Sequence, residues 1–458
     1  MSLNCFYHQQ DNAAISVTVI PEKHYKDWLE KPENSMIKNM LNSSVNVAKT
    51  PEVLKLYDAK GHFNRAITMV NNTDLWMLSN LANGLPAGRY HLDDPFCIIE
   101  DEEPYLGFAL ASYRFNRYKS KPLQTAVRLY LPAQYHAVEK QAEAIYLTRD
   151  MINTPAADMG PDAIAKEAEK LAAKFGAAFH EIVGEALLAE NYPGLYHVGK
   201  AAEKAPRLIY LSWGDEQAPK VTLVGKGVAF DTGGLDLKPS AGMLLMHKDM
   251  GGAANVLGLA QMIMSYKLPV RLKVVIPACE NSVSGSSYHP SDVITMRNGK
   301  TVEITNTDAE GRVILADTLF ELSQEKPDLL FDFATLTGAA RVAVGTEIAA
   351  CFSNDDDLAD SLNNAAKEVQ DPIWRMPLFS SYLKYLDSDV ADIKNSSAVS
   401  YAGSITAALF LKQFINPDVS WAHFDIMAWN IADLPGRPKG GEAMGIRAVF
   451  ELLQRRYH

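Results

Sequence analysis

Hydrophobic residues fall into short runs along this chain, and their spacing changes character near residue 137. Before that point, brief apolar runs alternate with turn-rich pieces. Residues 14–20 and 126–131 read as strands, and residues 73–82 as a helix. Residues 137–151 then place Ala, Glu, Leu and Ile at helical spacing. The sequence Asn153-Thr-Pro155 should end that helix, because proline lacks the amide hydrogen and clashes with the preceding turn.

Beyond it a regular alternation sets in. Residues 161–175 are rich in Ala, Lys and Glu and open with a proline, a residue suited to the first helical turn. Residues 208–211, 222–224, 272–276, 329–333 and 422–426 are compact apolar runs suited to buried strands. Residues 251–266, 312–324, 404–414 and 442–453 read as helices between or after them. The pattern predicts a sheet sandwiched by helices. At 458 residues the chain exceeds one ordinary core. The expectation is a smaller N-terminal α/β domain over residues 1–136, a linker helix over 137–152, and a C-terminal α/β/α sandwich over 153–458. Its sheet should be mixed and mostly buried. Internal repeats, low-complexity segments and heptad runs are lacking.

Composition narrows the function. A hydrophobic fraction of 47% and a charged fraction of 22% are those of a soluble globular protein. The net charge of -11 argues against nucleic acid as a main partner, since phosphate binding needs a basic surface. Cys5, Cys97, Cys279 and Cys351 are scattered, which suggests neither a thiolate metal site nor a disulfide framework. The opening residues show no basic-then-apolar leader and no apolar run approaches a membrane span, so a cytoplasmic location is the expectation.

Chemistry concentrates in three segments. They are residues 224–238, containing Lys226, Asp231 and Lys238; Lys248-Asp249-Met-Gly-Gly; and Asn306-Thr-Asp308-Ala-Glu310-Gly-Arg312. Charged groups among glycines and apolar strands are poor core material. Each has a plain alternative: Lys226 as a solvated strand end, Asp231 as a turn residue, and Asp249, Asp308 and Glu310 as acidic groups favoured near helix N-termini. Lys226 and Asp231 are five apart, so they converge only through a bulge or bend, which Gly227 offers. Asp308 and Glu310 share a face if the backbone is extended. Arg312 fits the plain alternative badly, because a cation in a first helical turn opposes the helix dipole; an anion held there would explain it. Four carboxylates brought together need compensating cations, and two divalent ions supply them. A GxGxxG loop fails at Phe230, and the Walker pattern fails because Gly227 follows Lys226. Neither HExxH nor GxSxG occurs. His247 reads as structural or solvent-facing, and Met246 as packing that could also line a substrate pocket.

The three segments and their spacing resemble the signature of the cytosolic leucine aminopeptidase family, with further likeness in residues 332–339 and 421–426. The resemblance runs from about residue 153 to the end; the N-terminal third matches only in size and position. It implies a metalloexopeptidase that releases the N-terminal residue of peptides, leucine or another apolar residue. One metal would be held by Lys226, Asp231, Asp249 and Glu310, the other by Asp231, Asp308 and Glu310. Lys238 and Arg312 would be catalytic, with a metal-bridging water as nucleophile. Lys238, Met246, Arg312, Thr335, Leu336 and Gly338 would bind substrate or bicarbonate, the latter acting as general base. The implied ions are Zn or Mn, with Mg or Co as further candidates. The implied assembly is a homohexamer in which the N-terminal domain serves assembly. A dipeptidase or cysteinylglycine hydrolase of the same chemistry, and a DNA-binding regulatory relative, are the alternatives. The chain departs from the family at Met427, Trp429 and Asn430, which bears on side-chain preference, and at Asn298.

Overall fold

A computed structural model describes residues 3–43, 53–121 and 127–458. The chain divides into two compact units, residues 1–146 with 432–439, and residues 147–431 with 440–458. The division falls within the helix Val138–Asn153.

The first unit is built on a six-stranded sheet in the order Phe6–Tyr7, Val127–Tyr130, Gly88–Asp93, Ile15–Pro21, Phe63–Val70, Val53–Tyr57. All neighbours are parallel except the last pair. The strand expected over 14–20 is Ile15–Pro21, and the one expected over 126–131 is Val127–Tyr130, residue 126 lying outside the described residues. The helix expected over 73–82 does not form. Residues 74–80 are a chain of tight turns, and only Leu81–Gly84 is helical. Asp74 Oδ1 accepts from the Trp76 amide at 2.9 Å, a local bond that competes with helix. The i to i+3 bonds that follow bury Leu75, Leu78 and Leu81 at three-residue spacing.

The main sheet of the second unit has nine strands: β1 (Ala178–Val183), β2 (Arg207–Trp213), β3 (Lys220–Gly225), β4 (Gly227–Asp231), β5 (Arg271–Asn281), β6 (Leu329–Ala334), β7 (Ala349–Ser353), β8 (Ile373–Arg375) and β9 (Trp421–Asp425). Their order is β8-β7-β9-β6-β3-β5-β2-β1, with β4 continuing beside β5. The centre, β9-β6-β3-β5, is parallel, and the antiparallel pairs β7-β9, β5-β2 and β2-β1 lie outside it. Helices cover both faces, which explains why β3 and β6 are buried almost throughout, without the alternation of a half-exposed sheet. Gly251–Tyr266 packs on β3 and β6 on one side; Glu310–Gln324 packs on β3 and β5 on the other. The mixed, buried sheet between helices is the one expected.

Helices Pro161–Phe175 and Gly251–Tyr266 match their expected limits. The helix expected over 442–453 begins at Ile446, because Gly445 takes a left-handed φ of 76° and Glu442 turns inward to pair with Arg149. The bend proposed at Gly227 also lies elsewhere. Gly227 and Val228 stay paired with Ala278 and Cys279, and the one-residue slip falls between Val228 and Asp231.

Candidate metal centre

The parallel strands deliver their C-terminal ends to one place, where open α/β sheets bind ligands. Lys226 follows β3, Asp231 ends β4, Thr335 and Leu336 follow β6, and Asp425 ends β9. Two close approaches draw the helices onto these ends. A Cβ on Gly252 would lie 2.1 Å from the Phe333 carbonyl oxygen, so the helix that follows Asp249 sits directly against β6. A Cβ on Gly311 would lie 2.6 Å from Lys226 Cε, so the glycine beside Glu310 makes room for the lysine.

Lys226 is 2% exposed. Its amine lies 2.9 Å from Asp249 Oδ2 and 2.8 Å from Glu310 Oε1, and donates to the Thr335 carbonyl at 3.2 Å. Lys238 reaches Asp231 Oδ2 at 2.8 Å and also pairs with Asp308. Asp231 Oδ1 accepts from the Gly233 amide and Asn281 Nδ2. Asp249 does not cap its helix, whose N-cap is Met250; it accepts from Thr335 Oγ1 at 2.6 Å. Asp308 and Glu310 are not extended neighbours. Asp308 sits in a turn closed by its amide donating to Asn306 Oδ1, and Glu310 opens the helix Glu310–Gln324. Asn395 holds that turn through the Thr305 amide and the Asn306 carbonyl. The turn does what an extended strand was expected to do: ligand oxygens of Asp231, Asp308 and Glu310 lie within 4.8 Å of one another.

Electrostatics follow from burial. Burial alone would push the Lys226 amine down, but Asp249, Glu310 and Asp231 outweigh it and hold it above the ordinary lysine value. Burial and the neighbouring acids push Glu310 up to about 8 and raise Asp231. Asp249 is held below its usual value, its two lysine neighbours overcoming burial. Burial pushes the Lys248 amine down to about 8 and the Arg312 guanidinium to about 10. Four carboxylates thus face two ammonium groups, Lys226 and Lys238, that stand where cations would compensate them. Buried Asp249 Oδ2, Asp308 Oδ1 and Glu310 Oε1 have these ammonium groups as their only partners. An oxygen-rich set whose buried acceptors meet nothing but cationic groups fits divalent ions.

Arg312 donates to the Asn395 carbonyl at 2.9 Å, while its buried Nε has no hydrogen-bond partner, which suits a guanidinium waiting for an anion. The Leu336 N–H, expected near that anion, donates instead to Asp425 Oδ1. Asp425 also takes the Thr337 amide and hydroxyl, so it fixes the loop after β6. Met246, Thr335, Leu336 and Gly338 line the same cavity of about 330 Å³ as Lys226, Lys238 and Arg312. His247 lies against Trp429, ring centroids 5.1 Å apart, as a packing residue. Asn281, Asn395 and Asp425 orient the site, and Lys248 and Arg341 line it; the sequence assigns none of the five a role, although Lys248 and Asp425 lie within segments that carry the resemblance. A polar residue closing an apolar strand was the available signal for Asn281 and Asp425.

Residues 146–450 match the family model described as the cytosol aminopeptidase family, catalytic domain. Residues 15–132 match the M17 aminopeptidase N-terminal domain, which extends the likeness into the N-terminal third. A probable cytosol aminopeptidase of Syntrophotalea carbinolica is 39% identical over 367 residues, covering 76% of this chain and 73% of the relative. One from Geobacter sp. is 37% identical over 419 residues, covering 88% and 82%. Among solved structures, the cytosol aminopeptidase of Coxiella burnetii superposes with a TM-score of 0.93 at 46% identity, covering 99% of this chain and all of that one. The bottromycin maturation enzyme BotP in complex with Mn gives 0.85 at 30% identity, covering 97% of this chain and all of that one.

Proposed function

The chain belongs to the cytosol aminopeptidase family, the metal-dependent M17 peptidases, and from that premise we propose a two-metal aminopeptidase that releases single N-terminal residues from peptides. The observation that carries this reading is the convergence of Asp231, Asp249, Asp308 and Glu310 on one cavity, with Lys238 and Arg312 beside them. Lys226, Asp231, Asp249 and Glu310 would hold one ion, and Asp231, Asp308 and Glu310 the other, Zn or Mn being the first candidates. Bound there, the ions supply Lewis acidity and a water acidic enough to be deprotonated near neutral pH.

The protein's own groups do the rest. With Asp231 and Asp308 engaged by cations, the Lys238 ammonium is freed to donate to the oxygen on which negative charge develops at the scissile carbonyl. Arginine is too basic to accept a proton, so Arg312 serves by holding an anion, bicarbonate in this proposal, that can. Asp425 keeps the Leu336–Thr337 loop in place against that anion. Met246 and Ile426 offer apolar surface to the substrate's first side chain. The cytoplasmic homohexamer implied by the resemblance completes the proposal.

The substrate's free amine is the group that fixes which carbonyl is attacked. Acetylating it removes a ligand lone pair and costs positioning worth several kcal/mol. Leu-Gly-Gly should therefore be cleaved to leucine and Gly-Gly by metal-loaded protein, and N-acetyl-Leu-Gly-Gly should not, as read by mass spectrometry. Chelation should abolish the first reaction. Equal hydrolysis of both peptides, or full activity after exhaustive chelation, refutes the proposal.

A further inference from the structure

One wall of the cavity carries positive charge that this chemistry does not use. Lys248 is 3% exposed and lines the cavity, yet among the described residues no carboxylate forms an ion pair with its amine. The nearby acids are engaged elsewhere. Asp249 faces Lys226 and Thr335, and Asp425 is occupied by Leu336 and Thr337. Arg341, half-buried on the helix Gly338–Val344, lines the same cavity. Its Nη1 rests 3.5 Å from Met427 Sδ, and it too has no acidic partner among the described residues. Asp249 and Asp425 attract the Lys248 ammonium only from beyond ion-pair distance, too weakly to offset its burial, and divalent cations nearby would add repulsion. Such a site calls for an anion from the ligand.

The cavity's shape says which anion. The Lys238–Asp308 side is the open one, with side chains 15% and 35% exposed, whereas Lys226 and Asp249 are 3% and 4% exposed. A peptide's continuing chain must leave through the open side, so the closed side, where Lys248 adjoins Asp249, receives the first residue. Met246 and Ile426 line it as well, and they suit methylene carbons. We propose that the closed end selects an acidic N-terminal residue, with the Asp or Glu side-chain carboxylate pairing with Lys248 Nζ and the Arg341 guanidinium. This deepens the aminopeptidase reading and rests on it.

The test uses Mn-loaded full-length protein with Asp-Ala-amide, Glu-Ala-amide and Leu-Ala-amide, and calorimetric titration of free L-aspartate and L-leucine. The amides remove the C-terminal carboxylate, and the titration needs no turnover. The acidic peptides should have kcat/KM above that of the leucine peptide. Lys248→Met should lower the Asp-to-Leu ratio about 10²-fold, the scale for truncating one partner of a buried charge pair, and weaken L-aspartate binding similarly. Arg341→Met, at a half-buried position that tolerates change better, should lower the ratio about tenfold. A wild-type ratio below one overturns the inference, as does a ratio unmoved in both variants. So does an effect confined to free-acid dipeptides, which would place the C-terminal carboxylate on these cations. If neither peptide class is cleaved, the aminopeptidase reading fails; L-aspartate binding lost in Lys248→Met would then still support an anion pocket, and its absence would refute that too.

Discussion

Two lysines in one cluster have different surroundings, and the difference predicts different roles. Lys226 is wedged between Asp249 and Glu310, behind Gly311, where the proposed function puts it in the metal-holding shell. Lys238 stands on the open side, 15% exposed, where the proposed function puts the substrate carbonyl. Lys238→Ala should keep its metals, by elemental analysis, while kcat falls roughly 10²–10³-fold, the range for losing one oxyanion donor. A variant that loses its metals and turns over normally once they are restored would exchange the two assignments. At this scale the sequence was informative for the carboxylates, because acids set near glycines at a strand end, a turn or a helix start have no packing role to explain them. Lys248 was not legible. Whether a lysine is buried depends on what surrounds it, and the charged groups near Lys248 include Arg341 and Asp425, residues far away in the chain.

Elements meet the site through glycine contacts whose tolerance can be measured. Gly252 lies so close to β6 that a methyl group would meet the Phe333 oxygen at 2.1 Å and the Lys226 nitrogen at 2.8 Å. Neither is a flexible side-chain tip, so the helix Gly251–Tyr266 must move away and take Asp249 with it. Gly252→Ala should cost about 1–3 kcal/mol in denaturant unfolding, as overpacked cores do, and should weaken metal binding. Gly285→Ala, with nothing within 4 Å of the added methyl, is the control and should be near neutral. Equal stability of the two variants would show that the helix start is not clamped. Periodicity revealed Gly251–Tyr266 and Pro161–Phe175 because their limits are set by local signals, glycines at one end of each and a proline at the start of the second. It misread residues 73–82, where Leu75, Leu78 and Leu81 satisfy tight turns as well as a helix. It also misplaced the start of Ile446–Tyr457, where a tertiary ion pair, Arg149 with Glu442, holds the preceding segment. Strand order was beyond it, since β4 joins β5 and β9 inserts between β6 and β7 by contacts that no local pattern records.

For the molecule as a whole, the site couples metal binding to stability through pH. Without metal, burial and neighbouring acids raise Asp231 and bring Glu310 from an ordinary 4.5 to about 8. A carboxyl with a raised folded-state pKa binds more protons in the native state than in the unfolded chain. Its stabilising contribution is complete below the unfolded value and is lost as pH climbs through the folded one. For Glu310 that window runs from about 4.5 to about 8. Asp249, shifted the other way, gives its contribution above its unfolded value of 3.8, so it does not oppose the trend inside the window. In the metal-free protein Lys226 and Lys238, both held above the ordinary lysine value, stay charged; to ligate an ion Lys226 must give up its proton, which adds to the same trend. Divalent ions bind the deprotonated carboxylates, so the destabilising charge of the metal-free site becomes the ligand charge of the loaded one, and binding to the native state adds stability by mass action. The gap in Tm between Mn-loaded and chelator-stripped protein should therefore widen as pH rises from about 5.5 to about 8 at fixed free metal. Comparing the two forms at each pH cancels groups outside the site. A gap that stays constant across that range would mean that Glu310 and Asp231 do not exchange protons for metal.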